Sequence, residues 1–159
     1  MGDTTCMYRH GIEAIKYFPE QPLPYALSGI ALMMQKQFAE ALPLFEKGVE
    51  LTDDKPELRS QFYSYLADCY YNLDSVERAF KMFDEVLKIN PNDILVLNNY
   101  AYYLSLRNER LALAEKMSSQ AVAMESDNAT YLDTYAWVLY KRGEYSQARY
   151  YICLLYTSP

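Results

Sequence analysis

The sequence predicts an all-α array of antiparallel helix pairs, and three observations predict it. An alanine inside a helical pattern recurs at Ala41, Ala79, Ala114 and Ala148, at spacings of 38, 35 and 34 residues. A second small residue, Gly29, Ala67, Ala101 or Ala136, precedes each of them by 12 or 13 positions, which makes the repeated unit two helices joined by a short turn. Large apolar residues surround every small pair, as expected where two helix backbones approach closely and only Gly, Ala or a similar side chain fits at the crossing. Self-similarity at this period marks a solenoid of stacked units. Solenoids expose long surfaces and rarely carry chemistry, so binding is the functional class to expect.

The elements follow in order. Residues 1–21, with the stretch GIEAIKYFPEQ, read as the second helix of a partial repeat. Repeat 1, residues 22–55, offers Tyr25, Gly29 and Leu32 on its first helix and Phe38, Ala41, Phe45 and Val49 on its second. Four added residues around Asp53, Asp54, Lys55 and Pro56 are polar and proline-bearing, which suits a longer surface loop. Repeat 2, residues 60–93, sets Tyr63, Leu66 and Tyr70 against Phe83 and Leu87, with Pro91 just past the helix end, where proline cannot continue a helix. Repeat 3, residues 94–127, carries one extra residue in its internal turn near Arg107, Asn108, Glu109 and Arg110. Repeat 4, residues 129–152, has Leu132, Tyr135, Ala136 and Leu139, then Gly143, Tyr145 and Ala148. The repeat then gives way to CLLYTSP at 153–159, which reads as a non-native tail on a truncated fragment.

The stretches YLADCYYNLDSVERAFKMFDEVLKINPND and YLDTYAWVLYKRGEYSQARYYI resemble the tetratricopeptide repeat, a helix–turn–helix unit of 34 residues. LNNYAYYLSLR followed by TYLDTYAWVLYKRGEY is similar to repeats of bacterial proteins of the Bacteroidota type. The resemblance covers nearly the whole chain and implies a right-handed superhelix whose first helices line a concave surface. It also places Ser118 where an aromatic usually packs, which marks the second helix of repeat 3 as the least tightly held.

Composition narrows the function. With 51% apolar residues among 159 the chain can bury a sizeable core, and no apolar run approaches the roughly 18 residues of a membrane helix. No membrane span is expected, and the chain reads as soluble. A net charge of −6 disfavours nucleic acid, whose phosphates need clustered Lys and Arg, and so argues against the pentatricopeptide RNA binders of similar repeat length. Cys6, Cys69 and Cys153 match no disulfide framework or metal spacing, and Cys69 reads as a small core residue. His10, the single histidine, reads as a surface residue. Asn128-Ala129-Thr130 fits a glycosylation sequon, a tripeptide that arises often by chance. With no base beside any Ser or Cys and the carboxylates scattered over solvated positions, no catalytic residue, metal or cofactor is expected.

What remains is the groove. Positions 2, 5, 9 and 12 or 13 of each repeat form one stripe, which position 6 adjoins, and the resemblance places it on the concave face. The expected peptide-binding residues are Tyr65, Asp68, Asn72, Asn98, Asn99, Tyr102, Asp133, Trp137 and Lys141. The asparagines can serve a strand-like backbone with donors and acceptors, while Tyr65, Tyr102 and Trp137 offer flat amphipathic contacts. Met33 and Met34 read as core, and Lys81 and Glu115, on second helices, as outside the binding surface. Repeats of this family that clamp terminal carboxylates use Lys, Asn and Arg where this chain has Ala26, Ile30, Tyr65, Leu95 and Asn99, so that subtype is not expected. The expected function is a non-catalytic scaffold for a protein or peptide partner. The alternative is a regulatory or targeting segment of a larger enzyme or envelope lipoprotein, and self-association through the incomplete ends is a third expectation.

Overall fold

The computed structural model describes residues 2–157. Among them are nine helices and no strand: α1 (Gly2–Tyr17), α2 (Pro22–Met34), α3 (Phe38–Glu50), α4 (Pro56–Asn72), α5 (Val76–Ile89), α6 (Ile94–Leu106), α7 (Leu111–Met124), α8 (Ala129–Lys141) and α9 (Tyr145–Thr157). They fall into two compact units, the first ending at Pro91 and the second beginning at Asn92. In unit 1 each helix packs on the next from α1 to α5, and α2 also lies against α4. Unit 2 repeats the scheme, with α6 through α9 packed in sequence and α6 against α8.

Local chemistry starts and stops these helices. Pro22 and Pro56 occupy first-turn positions of α2 and α4, where a missing N–H costs nothing. Asp93 caps α6 by accepting from the Val96 amide, and Asn128 caps α8 by accepting from the amides of Thr130 and Tyr131. Asn128, the sequon asparagine, is therefore engaged as a helix cap. Pro43 lies inside α3, on an exposed position where the backbone bond it cannot donate is left to solvent.

All four tight turns within helix pairs are built alike. The residue after each C-cap is left-handed: Lys36 (φ 60°), Asp74 (φ 59°), Asn108 (φ 53°) and Gly143 (φ 84°). The next amide, of Gln37, Ser75, Glu109 or Glu144, donates back to the carbonyl of Leu32, Tyr70, Leu104 or Leu139. This is the Schellman closure, which satisfies carbonyls that a helix end leaves unpaired. The extra residue of the α6–α7 turn is Arg110, also left-handed (φ 41°), whose guanidinium donates to the Tyr100 hydroxyl at 2.8 Å.

The small residues sit at the crossings. Ala41, Ala67, Ala79, Ala101 and Ala114 are fully buried, and Ala136 and Ala148 nearly so. A Cβ added at Gly29 would strike the Phe45 ring, and one at Gly48 would strike Phe62. Both rings are fully buried, with centroids 6.3 Å apart. Ser118 is also fully buried, and its hydroxyl donates to the carbonyls of Ala114 and Glu115 within its own helix. A hydroxyl satisfied inside α7 replaces the expected ring, and α7 remains packed between α6 and α8. The loop after α3 is exposed at Asp53–Pro56 but anchored by Thr52, fully buried and donating to the Gly48 carbonyl at 2.8 Å. Cys69 is buried and His10 exposed, as their sequence contexts suggest. Met34 corrects its expectation: it is exposed, and only Met33 packs against the core.

Candidate functional site

The nine candidate residues lie on three first helices. In unit 1, Tyr65, Asp68 and Asn72 stand three and four residues apart on α4 and so share one face. In unit 2, Asn98, Asn99 and Tyr102 are on α6 and Asp133, Trp137 and Lys141 on α8, two helices that pack against each other.

Unit 1 gives its three residues different roles. The Tyr65 ring stacks on Phe45 at 5.0 Å and meets Phe62 edge-on at 6.4 Å, so most of it belongs to the core and burial pushes its phenol pKa up. Asp68 is half-buried, and its Oδ1 is shut off from solvent without a hydrogen-bond partner. Burial of that carboxyl raises its pKa to about 6. Burial also pushes the Cys69 thiol up to about 12, with the Asp68 charge adding to the effect, so Cys69 is an inert core thiol. Asn72 is exposed and donates its amide to the Asp68 backbone carbonyl at 2.8 Å, leaving the carboxylate itself unserved.

In unit 2 the candidate residues include a row of exposed aromatic rings. Trp137, 36% exposed, stacks on Tyr140 at 5.8 Å and 24°. Tyr140, 52% exposed, tilts against Tyr145 at 5.4 Å. The Lys141 ammonium lies 5.0 Å from the centre of the Trp137 ring, a cation–π contact that holds both side chains in place. On α6, Tyr102 is 41% exposed and tilted against Tyr103. Asn98 is buried deeper than a peptide contact requires; its amide donates to Asn99 Oδ1 at 3.3 Å, while its own Oδ1 is buried without a partner. Asn99 is half-buried and Asp133 exposed.

Two features lie outside the sequence expectation. Tyr145 extends the aromatic row from the start of α9, across a turn that helical periodicity cannot see through. Glu115 is not a free outer residue: Arg142 holds it at 2.8 Å while also reaching Glu144 at 3.0 Å.

Antiparallel helix pairs stacked in sequence within each unit define the class, an α-helical repeat protein. Residues 32–100 match the tetratricopeptide repeat family model, so this stretch belongs to that family and the described chain has that family's fold. Solved structures agree on the fold. A crystal structure of MamA superposes with a TM-score of 0.82 at 14% identity, covering 97% of this chain and 87% of that one. MamA from Desulfovibrio magneticus RS-1, from residue 41 to its end, gives 0.71 at 18% identity, covering 98% and 94%. YrrB, described as a tetratricopeptide protein with an unusual peptide-binding site, gives 0.74 at 13%, covering 97% and 77%. None of the curated proteins matches the sequence. Among the described residues no helix is long and apolar enough to cross a membrane, and no group of three or more His, Cys, Asp or Glu is placed to hold a metal ion.

Proposed function

We propose that this chain is a non-catalytic scaffold whose first-helix faces bind an extended segment of a protein partner. The observation that carries this reading is Trp137, a large aromatic left 36% exposed between a stacked Tyr140 and a pinned Lys141. Ordering an exposed row of side chains is unrewarded in the free protein, whereas a prearranged aromatic platform loses little entropy on binding. In unit 1, Asp68 Oδ1 on α4 is a buried acceptor without a partner, which adds unmet hydrogen-bonding capacity there. The peptide-binding site named for YrrB is a precedent on this fold.

The test is a titration with a peptide selected on the intact chain from a degenerate library. Trp137→Ala and Asn99→Ala together remove an aromatic anchor and a hydrogen-bonding amide, each a loss of about 1–3 kcal/mol, and should weaken binding tenfold or more. Lys81→Ala and Lys116→Ala, exposed on second helices, should leave affinity within a factor of two. If the second-helix changes abolish binding and the first-helix pair does not, the face is assigned wrongly.

A further inference from the structure

We propose that the Asp68 carboxylate receives a Lys or Arg side chain of the bound segment, so that the unit 1 face selects a basic residue at one position. This rests on the peptide-binding reading above. It begins with an imbalance: Oδ1 of Asp68 is buried with no hydrogen-bond partner. An ionised carboxylate in that condition is costly, and proteins ordinarily pair such groups or neutralise them. Neither remedy is supplied locally. Asn72 donates to the backbone carbonyl of Asp68 and not to its carboxylate. Arg59 is committed to Asp53 at 2.8 Å, Lys47 to Glu50 at 2.9 Å and Lys88 to Glu85 at 2.6 Å, and the Arg78 guanidinium lies over the Tyr70 ring. Nothing cationic among the described residues offsets the burial that raises the Asp68 pKa, and at about 6 the group is still mostly ionised at neutral pH.

Asp68 as a whole is only half-buried, and an incoming ammonium or guanidinium beside it supplies a positive charge and N–H donors in a charge-assisted bond to the carboxylate. Unit 1 also exposes apolar side chains, Leu23, Leu27 and Met34 on α2, a helix that lies against α4, and such surface accommodates the methylene stem of a Lys or Arg. A net charge of −6 favours approach of a cationic segment over an acidic one.

The probe is a degenerate octapeptide library passed over the immobilised intact chain, with retained peptides sequenced, and the same selection on Asp68→Asn. The wild-type chain should enrich Lys or Arg severalfold at one position, and Asp68→Asn should lose that enrichment. A selected peptide should then bind Asp68→Asn at least tenfold more weakly, with unchanged helical circular dichroism. Replacing the selected Lys or Arg by norleucine should weaken binding to the wild-type chain by a similar factor and have no further effect on Asp68→Asn, closing a double-mutant cycle. The norleucine peptide tests the wild-type chain alone, so the result does not depend on the variant folding. Retained peptides without basic enrichment, or enrichment that survives Asp68→Asn, overturn the inference and leave the peptide-binding reading standing. A wild-type chain that retains no peptide overturns that reading, and the inference with it.

Discussion

The two units solve the same packing problem with different chemistry. Unit 1 drives phenylalanine into glycine gaps, Phe45 against Gly29 and Phe62 against Gly48, a dry fit with no polar atom to satisfy. Unit 2 buries Tyr100 instead and ties its hydroxyl to Arg110, the extra residue of the longer α6–α7 turn. Their first-helix faces differ as well, an unpaired carboxylate in one and an aromatic row in the other. The repeat frame therefore fixes where a helix lies and leaves its exposed side chains free to vary, which is how one fold can read unrelated partners.

The contrast in cores makes the largest prediction. Phe62→Ala empties a site closed on all sides and should cost about 3–5 kcal/mol in chemical denaturation. The structure also sets the sign for Gly48→Ala. Alanine ordinarily gains about 1 kcal/mol over glycine inside a helix, but here its methyl would enter the fully buried Phe62 ring, and overpacking costs about 1–3 kcal/mol. A net loss of stability is expected, and a net gain would show that Phe62 can move aside.

Asp68 gives an effect of intermediate size with a defined pH window. Its folded pKa is raised to about 6 from an ordinary 3.8. The protonated form is thus the one the fold prefers: the associated stability is present below about pH 4, is lost as pH rises to about 6, and stays lost above. For a shift of this size the loss is of the order of 2 kcal/mol. The difference in unfolding free energy between the wild-type chain and Asp68→Asn, measured from pH 4 to pH 7, should change by that amount across the window. A constant difference would mean that the carboxyl is better solvated than its surroundings indicate.

Tyr100→Phe is the smallest of these changes and the counterpart of Phe62→Ala. It removes one hydroxyl from Arg110 while keeping the ring, and should cost about 1 kcal/mol. Equal losses for Tyr100→Phe and Phe62→Ala would abolish the distinction between a dry core and a tethered one.

Much of this was legible in the sequence because the signals were periodic. Small residues at Ala41, Ala79, Ala114 and Ala148 marked the crossings, and all are buried. The extra residue near Arg110 marked a longer turn. The candidate face was legible only as a direction, since helical spacing says which way a side chain points and not how deep it sits or what meets it from another helix. Tyr65 was read from its spacing alone, and Phe45 from α3 takes up its ring. Asn98 was read as a peptide contact and is buried beside Asn99. Met34, read as core, falls at the end of α2, where the turn leaves it in solvent. The burial of one Asp68 oxygen depends on the packing of several helices and has no signature in spacing.

The central claim is that a partner segment contacts the exposed first-helix faces, and Trp137 reports on it directly because it is the only tryptophan in the chain. Its fluorescence should be followed while a library-selected peptide lacking tryptophan is titrated in, with binding measured independently by calorimetry. A saturable change in emission whose midpoint coincides with the calorimetric one, and which is absent for an unselected peptide of the same composition, is the predicted result. Calorimetric saturation with no change in Trp137 emission would contradict the claim for the unit 2 face, because the partner would then be bound away from Trp137.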